Sequence, residues 1–128
     1  MRLPLFVVAL MLPASLSAQT DWTTATRVNV TLANFKYEPR VIRLPAGRPV
    51  TLHLVNSASG GHDFTARRFF AEAQVRPEDR AAIEKGSVEL AGHQSRDISL
   101  VPKVGRYPLK CGHTFHEMFG MSGEIIVE

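Results

Sequence analysis

The chain has 128 residues, of which 45% are hydrophobic and 21% are charged, and its formal net charge is +3. This composition is typical of a globular domain, and a charge this small gives no indication of nucleic-acid binding. The sequence contains one cysteine, which excludes a disulfide framework within the chain. We therefore predict a small monomeric domain whose thiol has a role other than cross-linking.

Residues 1–18 have the features of a secretory signal. Arg2 gives a positive start, residues 3–12 are mostly apolar, and small residues suited to cleavage follow. The apolar run is too short to span a membrane, so no stable membrane insertion is expected after cleavage. We predict an exported protein, periplasmic or otherwise secreted, with a flexible lead-in at residues 19–26 and one domain at residues 27–128.

Alternating apolar and polar residues predict strands through most of that domain. The segment 27–35 is the clearest case. There, Val28, Val30 and Leu32 fall on one face of the predicted strand. Further strands are predicted at residues 41–44, 48–55, 87–91, 94–101, 105–110 and 124–128, with turns at residues 35–39, 45–47 and 92–93. Pro108 indicates that its strand lies at a sheet edge or contains a bulge. Short strands at this spacing predict an all-β sandwich.

The strand pattern is interrupted between Arg67 and Lys85. Within this segment Pro77 is followed by two acidic residues, and Lys85 stands directly before Gly86. Proline at the start and a basic residue before glycine are helix start and stop signals. We predict a short helical insertion around residues 76–85.

Side chains that can bind a metal are concentrated between positions 111 and 121. This stretch contains Cys111, His113, His116, Met118 and Met121. Thiolate, imidazole and thioether groups are ligands that suit copper, and blue-copper sites combine two histidines, one cysteine and a weak axial methionine. On a regular helix or strand, Cys111 and His116 would point apart, so a shared metal requires a loop that doubles back.

The same region matches the pattern Y-x3-C-x4-H-x4-M-x-G-x-I-x-V. The matching residues are Tyr107, Cys111, His116, Met121, Gly123, Ile125 and Val127. This pattern resembles the C-terminal signature of the cupredoxins, the plastocyanin- and azurin-like copper proteins. The resemblance implies a Greek-key β-sandwich, one copper ion per chain, and a further histidine ligand that follows a strand in mid-chain.

The resemblance places that histidine at His62. Asn56 upstream and Phe64 two residues downstream match the arrangement of the family around its first ligand. Cupredoxins often have an asparagine directly after this histidine, which helps to tie the two ligand loops together. Here the position is Asp63. The resemblance therefore implies His62, Cys111, His116 and Met121 as the metal ligands.

Two neighbouring residues are alternatives to that ligand set. His113 could ligate copper in place of His116 if the loop folded unusually, and Met118 is a rival to Met121. The match of Met121 to the family pattern favours Met121. A structural zinc site is disfavoured because it takes four strong ligands without a thioether. Catalysis by a Cys–His pair would need an unligated thiolate and an oxyanion site, for which the sequence gives no support.

These residues predict that the protein transfers electrons and is not an enzyme. We expect a mononuclear copper protein that carries one electron between redox partners, such as a cytochrome or an oxidase. The electron is expected to pass through His116, and the partner to dock on an apolar patch near Phe115, Met118 and Phe119. The alternative is a periplasmic copper-binding, delivery or storage protein of the same fold, without an electron-transfer role.

Overall fold

Two β-sheets pack face to face in the described part of the protein. The computed structural model describes residues 4, 8–12, 19–113 and 121–128. Within these residues, the first sheet has the strand order β2 (Lys36–Glu38), β1 (Thr26–Ala33), β4 (Val50–Asn56), β8 (Ser95–Val101) and β6 (Gln74–Val75). The second has the order β3 (Val41–Leu44), β10 (Ser122–Val127), β9 (Gly105–Lys110), β5 (His62–Thr65) and β7 (Ser87–Leu90). The predicted all-β sandwich is confirmed.

The hydrophobic core lies between the sheets and follows from the alternation in the sequence. In β4, Val50, Leu52 and Leu54 are fully buried, whereas the residues between them are partly exposed. Leu109 and Ile125 of the second sheet are buried in the same core. Burying each such side chain contributes about 1.5–3 kcal/mol, so the strand pattern itself provides much of the driving force for folding.

The predicted helical insertion is present as a 3-10 helix, Pro77–Ala82. The Arg76 guanidinium donates to both carboxylate oxygens of Asp79, at 3.0 and 3.1 Å. The same carboxylate accepts a 2.8 Å hydrogen bond from the backbone N–H of Ser99, which attaches the insertion to β8. This attachment explains why Ser99, which the alternation would place outside, is buried.

A second helix was not predicted separately. The helix α1 (Arg67–Glu72) follows β5 directly and buries Phe69 and Phe70. It has six residues and no side-chain cap at its N-terminus. A helix this short is marginal by itself, so burial of its two aromatic rings must stabilise it.

The predicted turn at residues 35–39 is wrong in its extent. The chain reverses at Asn34 and Phe35, and the next three residues form β2. The side chain of Tyr37 explains the difference. It is buried between its exposed neighbours, and its hydroxyl donates a 2.6 Å hydrogen bond to the backbone carbonyl of Asp63. That bond holds residues 36–38 against the sandwich.

The prediction of an edge or bulge at Pro108 is also wrong. Its strand β9 lies between β10 and β5, inside the second sheet. However, β5 pairs with β9 only through Thr65 and Lys110. After Thr65 the chain leaves the sheet for α1, so no continuous ladder on that side requires an N–H from the proline.

The same register brings the predicted ligand segments to one end of the sandwich. Lys110, the last residue of β9, pairs with Thr65 on one side and with Ser122 on the other. Because β5 is antiparallel to β9, the chain beyond Lys110 continues alongside the first residues of β5. Cys111, the start of β5 and the residue before β10 therefore lie together.

None of the described residues before β1 is buried. In the predicted lead-in, Trp22–Thr24 forms a 3-10 helix whose N-terminus is capped by Asp21. No helix within the described ranges combines the length and the apolar character needed to cross a membrane.

The turn between β7 and β8 gives a test of this packing. A Cβ atom at Gly92 would lie 2.0 Å from the backbone oxygen of Ser59. We expect Gly92→Ala to lower the free energy of unfolding by about 1–3 kcal/mol, because the backbone must shift. Gly60→Ala is the matched control in the adjoining loop, since a Cβ there meets no atom within 4 Å. Urea unfolding of both variants measures the difference. Equal stabilities would contradict the close approach.

Candidate metal centre

Three of the four predicted ligands are buried at the same end of the sandwich. His62, Cys111 and Met121 each have no exposed surface. The backbone N–H of Asp63 donates to the Cys111 sulfur over 3.5 Å, and the backbone N–H of Cys111 donates to the carbonyl of Met121 over 3.2 Å. The fourth predicted ligand, His116, lies outside the described residues. So do the predicted docking residues Phe115, Met118 and Phe119.

His62 is oriented by a contact between its Nε2 atom and an amide side chain. Its Nε2 lies 3.3 Å from the side-chain oxygen of Asn34. Because an amide oxygen can only accept, Nε2 carries the proton, and in the neutral ring the lone pair is then on Nδ1. That atom is buried, which is the arrangement expected of a metal-binding nitrogen oriented by its second ring atom.

The loop that precedes His62 is fixed by the fully buried Asn56. Its amide donates to the carbonyl oxygens of Gly60, Leu90 and Ala91, at 2.8, 3.2 and 3.1 Å. Its side-chain oxygen accepts a 3.0 Å hydrogen bond from the backbone N–H of Ala58. One side chain thus joins residues 56–61 to the end of β7 and limits the movement of the imidazole.

The Cys111 thiol is in an environment that opposes ionisation without a metal. Burial raises its pKa, while the N–H of Asp63 acts in the opposite direction by stabilising the thiolate. A cation beside the sulfur would compensate for the cost of burying the negative charge. The environment therefore suits a cysteine that binds a metal as the thiolate and stays a protonated thiol when no metal is bound.

Asp63 joins the two segments that carry the predicted ligands His62 and Cys111. The backbone N–H of Gly112 donates to both of its carboxylate oxygens, at 2.8 and 3.0 Å, and the hydroxyl of Thr65 donates to one of them at 2.6 Å. The resemblance assigned this role to an asparagine, and the structure shows that an aspartate performs it here. The tie is nearly buried, with Asp63 only 6% exposed.

His113, the alternative histidine, lies beside this tie. Its Nε2 is 2.9 Å from a carboxylate oxygen of Glu89 and 3.8 Å from one of Asp63. Donor atoms of Asp63, Cys111 and His113 all lie within 4.8 Å of one another, so these three residues could also hold a metal ion. His113 therefore stays an open alternative.

Sequence reasoning missed three residues of the site. Asn34 and Tyr37 belong to a hairpin far from the ligands in sequence, and Glu89 belongs to β7. None of them has a local sequence signal, because each acts through a hydrogen bond that only the folded chain creates. Burial of Tyr37 raises the pKa of its hydroxyl, which accordingly stays protonated and donates to the backbone of Asp63.

The donor set fits copper better than other metals. A buried thiol, a buried imidazole with its lone pair on Nδ1 and a buried thioether are soft-to-borderline donors. Mg²⁺ and Ca²⁺ prefer sites built from oxygens, whereas the oxygens of Asp63 already accept hydrogen bonds from Gly112 and Thr65. The chemistry of the described residues thus agrees with the predicted copper centre.

Comparison with known proteins identifies the same fold. A family model described as a cupredoxin-like domain matches residues 4–127. The structure resembles dithionite-reduced auracyanin from Roseiflexus castenholzii, with a TM-score of 0.60 and 16% identity over 81% of this chain and 98% of that one. It also resembles auracyanin A from Chloroflexus aurantiacus, described as a "blue" copper protein, with a TM-score of 0.54 and 15% identity over 80% of this chain and 99% of that one.

An enzyme is also among the structural neighbours. McoA, a multicopper oxidase from Aquifex aeolicus, aligns with a TM-score of 0.65 and 16% identity over 94% of this chain but only 33% of its own. No curated protein gives a significant match. At these identities the structural neighbours show the fold alone.

Proposed function

The chain belongs to the cupredoxin-like domain family, and from that premise we propose that it is an exported one-electron carrier with a single copper ion. The observation that carries the proposal is the buried Cys111 sulfur, which accepts an N–H bond from Asp63 and lies at the same end of the sandwich as the buried His62 and Met121. His116 completes the proposed ligand set.

Each proposed ligand would have a separate task. The Cys111 thiolate and the imidazoles of His62 and His116 would be the strong donors to copper, and the Met121 thioether would be a weaker one. When bound, copper supplies a centre that gains and loses one electron. The protein would keep His62 and Cys111 nearly still during that change, because Asn34 contacts the His62 ring and Asp63 binds the backbone directly after the cysteine.

The burial of the site favours the carrier over the copper-handling alternative. A protein that delivers copper needs ligands that an acceptor can reach, and it uses exposed methionine and histidine for that purpose. Here His62, Cys111 and Met121 are completely buried. A buried thiolate site retains its metal, which suits repeated electron transfer and opposes release.

The proposed role is that of a carrier and not of an oxidase. The cupredoxin-like fold also occurs in the multicopper oxidase McoA, of which this chain covers one third. Within the described residues, Asp63, Cys111 and His113 form the one group of histidine, cysteine and carboxylate side chains close enough to share a metal, and no second such group accompanies it. The partner would be a redox protein docking near Phe115, Met118 and Phe119, and the signal at residues 1–18 would direct export.

Copper loading tests the proposal directly. The purified protein is titrated with Cu(II), and the bound metal and the visible spectrum are measured together. We expect one copper per chain and an intense thiolate-to-copper band that disappears on reduction and returns on reoxidation. Zinc loading is the control, since zinc occupies the site without redox chemistry or a visible band. Copper binding without the band, or copper released on reduction, would favour the copper-handling alternative.

A further inference from the structure

The two carboxylate oxygens of Asp63 are not used equally. Within the described residues, Oδ1 accepts hydrogen bonds from the Thr65 hydroxyl and the backbone N–H of Gly112, whereas Oδ2 accepts one longer bond, at 3.0 Å, from that same N–H. Each carboxylate oxygen can accept about two hydrogen bonds, so Oδ2 keeps a lone pair. This oxygen faces the His113 ring, at 3.8 Å from Nε2.

The negative charge of Asp63 has no permanent counter-ion among the residues that the structure describes. Its hydrogen-bond donors there are neutral, and its ion-pair contact there is with His113, which is charged only when protonated. Buried charges in proteins are usually paired or bound to a metal. The fully buried Cys111 sulfur accepts the Asp63 N–H and adds a second negative charge when it ionises. A carboxylate and a thiolate together match the charge of one divalent cation.

His113 adds a third donor to this pair. Donor atoms of Asp63, Cys111 and His113 lie within 4.8 Å of one another. Atoms bonded tetrahedrally to one zinc ion at about 2.0–2.3 Å stand roughly 3.3–3.6 Å apart, so each pair has to close by no more than about 1.5 Å. Glu89, at 2.9 Å from Nε2, orients the imidazole, as carboxylates commonly do for metal-binding histidines.

This combination of donors suits zinc. Zinc binds thiolate sulfur, imidazole nitrogen and carboxylate oxygen, and sites with three protein ligands keep the fourth position for water. The side chains of His113 and Glu89 are 38% and 62% exposed, so solvent reaches the group from that side. The group contains no thioether, and it uses neither His62 nor Met121.

We propose that Asp63, Cys111 and His113 form a second metal site, which binds one divalent ion of the zinc class with water as its fourth ligand. On binding, the thiol gives its proton to water and the sulfur ligates as the thiolate. The site shares Cys111 with the proposed copper centre, so one chain holds either zinc or copper. Only this competition rests on the proposed function. Zinc used as the control for copper loading would then sit on these three ligands and still occupy the cysteine.

The matched variants His113→Gln and His62→Gln test which histidine holds zinc. The same substitution removes an imidazole from each of the two ligand sets. The probe is Zn²⁺ alone, added to the copper-free protein, and competition with a chromophoric indicator gives the dissociation constant. We expect His113→Gln to weaken zinc binding at least about tenfold, because it removes one of three strong donors, and His62→Gln to leave the constant within about twofold.

Co²⁺ reports the ligands themselves, because it replaces zinc and its visible absorption depends on the coordination geometry. We expect the intense bands of a tetrahedral site and a sulfur-to-cobalt band, which Cys111→Ser should remove. Asp63→Asn should weaken binding of both ions, since its amide oxygen is neutral although it still accepts from Gly112. Unfolding of each metal-free variant identifies any loss that arises from misfolding. If His113→Gln does not fold, the response to Asp63→Asn gives the answer instead.

The opposite pattern, in which His62→Gln loses zinc and His113→Gln keeps it, would assign zinc to the copper ligands and overturn the second site. Equal losses in both variants, an unchanged affinity in Asp63→Asn, or a wild type that binds no zinc would overturn it as well. After loading with both ions, metal analysis should give one metal per chain, and two would contradict the shared cysteine. A wild type that binds zinc as expected but never forms the copper band would overturn the proposed function alone.

Discussion

Cys111→Ser is expected to abolish the visible absorption of the copper-loaded protein. The band arises from charge transfer between a thiolate and Cu(II), and Cys111 is the only cysteine in the chain. Serine offers a hard, protonated oxygen in place of a soft thiolate. Copper affinity should fall at least about 100-fold, equivalent to roughly 2.8 kcal/mol. Titration of both proteins, followed by absorption and by metal analysis, measures the two effects.

The metal-free variant serves as the control for folding. A serine hydroxyl can still accept the hydrogen bond from the Asp63 N–H, so the apo proteins should unfold within about 1–2 kcal/mol of each other. Copper should raise the melting temperature of the wild type much more than that of Cys111→Ser, because the ion binds the folded state. A variant that keeps the band would show that the thiolate is not its source and would contradict the proposed site.

The sequence predicts those parts of the fold that depend on local patterns. The bounds predicted for β1, β4 and β8 agree closely with the structure, because alternation with a period of two reports one buried face. The proposed ligand motif at residues 111–121 is also visible in the sequence, because its residues lie close together in the chain. His62 could be added only through the family resemblance, because it is distant from Cys111 in the chain.

The parts that failed depend on contacts between distant segments. Lys36–Glu38 forms a strand because the hydroxyl of Tyr37 reaches the backbone of Asp63. The helix α1 forms because its rings complete the core, and Pro108 lies inside a sheet because β5 ends beside it. In each case a tertiary contact overrides the local preference, and no single window of sequence contains that contact.

Asp63→Asn is expected to raise the reduction potential of the copper. The carboxylate is nearly buried, belongs to the residue after the proposed ligand His62, and accepts a hydrogen bond from the residue after Cys111. A negative charge in this position stabilises Cu(II) more than Cu(I). At an effective dielectric constant near 20, a unit charge about 8 Å from the metal contributes about 2 kcal/mol, or roughly 90 mV. Asparagine removes the charge but retains an oxygen for the Gly112 N–H and the Thr65 hydroxyl.

A second substitution, Asp63→Ala, distinguishes the effect of the carboxylate charge from the effect of the hydrogen bonds that the carboxylate accepts. Asp63→Ala removes both. It leaves the Gly112 N–H without its acceptor in a largely buried place, whereas the Thr65 hydroxyl can still donate to Ser87 Oγ. We expect it to lose about 1–3 kcal/mol of unfolding free energy, which is the cost of one unsatisfied buried group, whereas Asp63→Asn should lose much less. Spectroelectrochemistry and denaturant unfolding of the two variants give the required values. If Asp63→Asn leaves the potential unchanged, the carboxylate does not act on the copper through its charge. If Asp63→Ala is as stable as Asp63→Asn, the hydrogen bonds to Gly112 and Thr65 do not hold the site together.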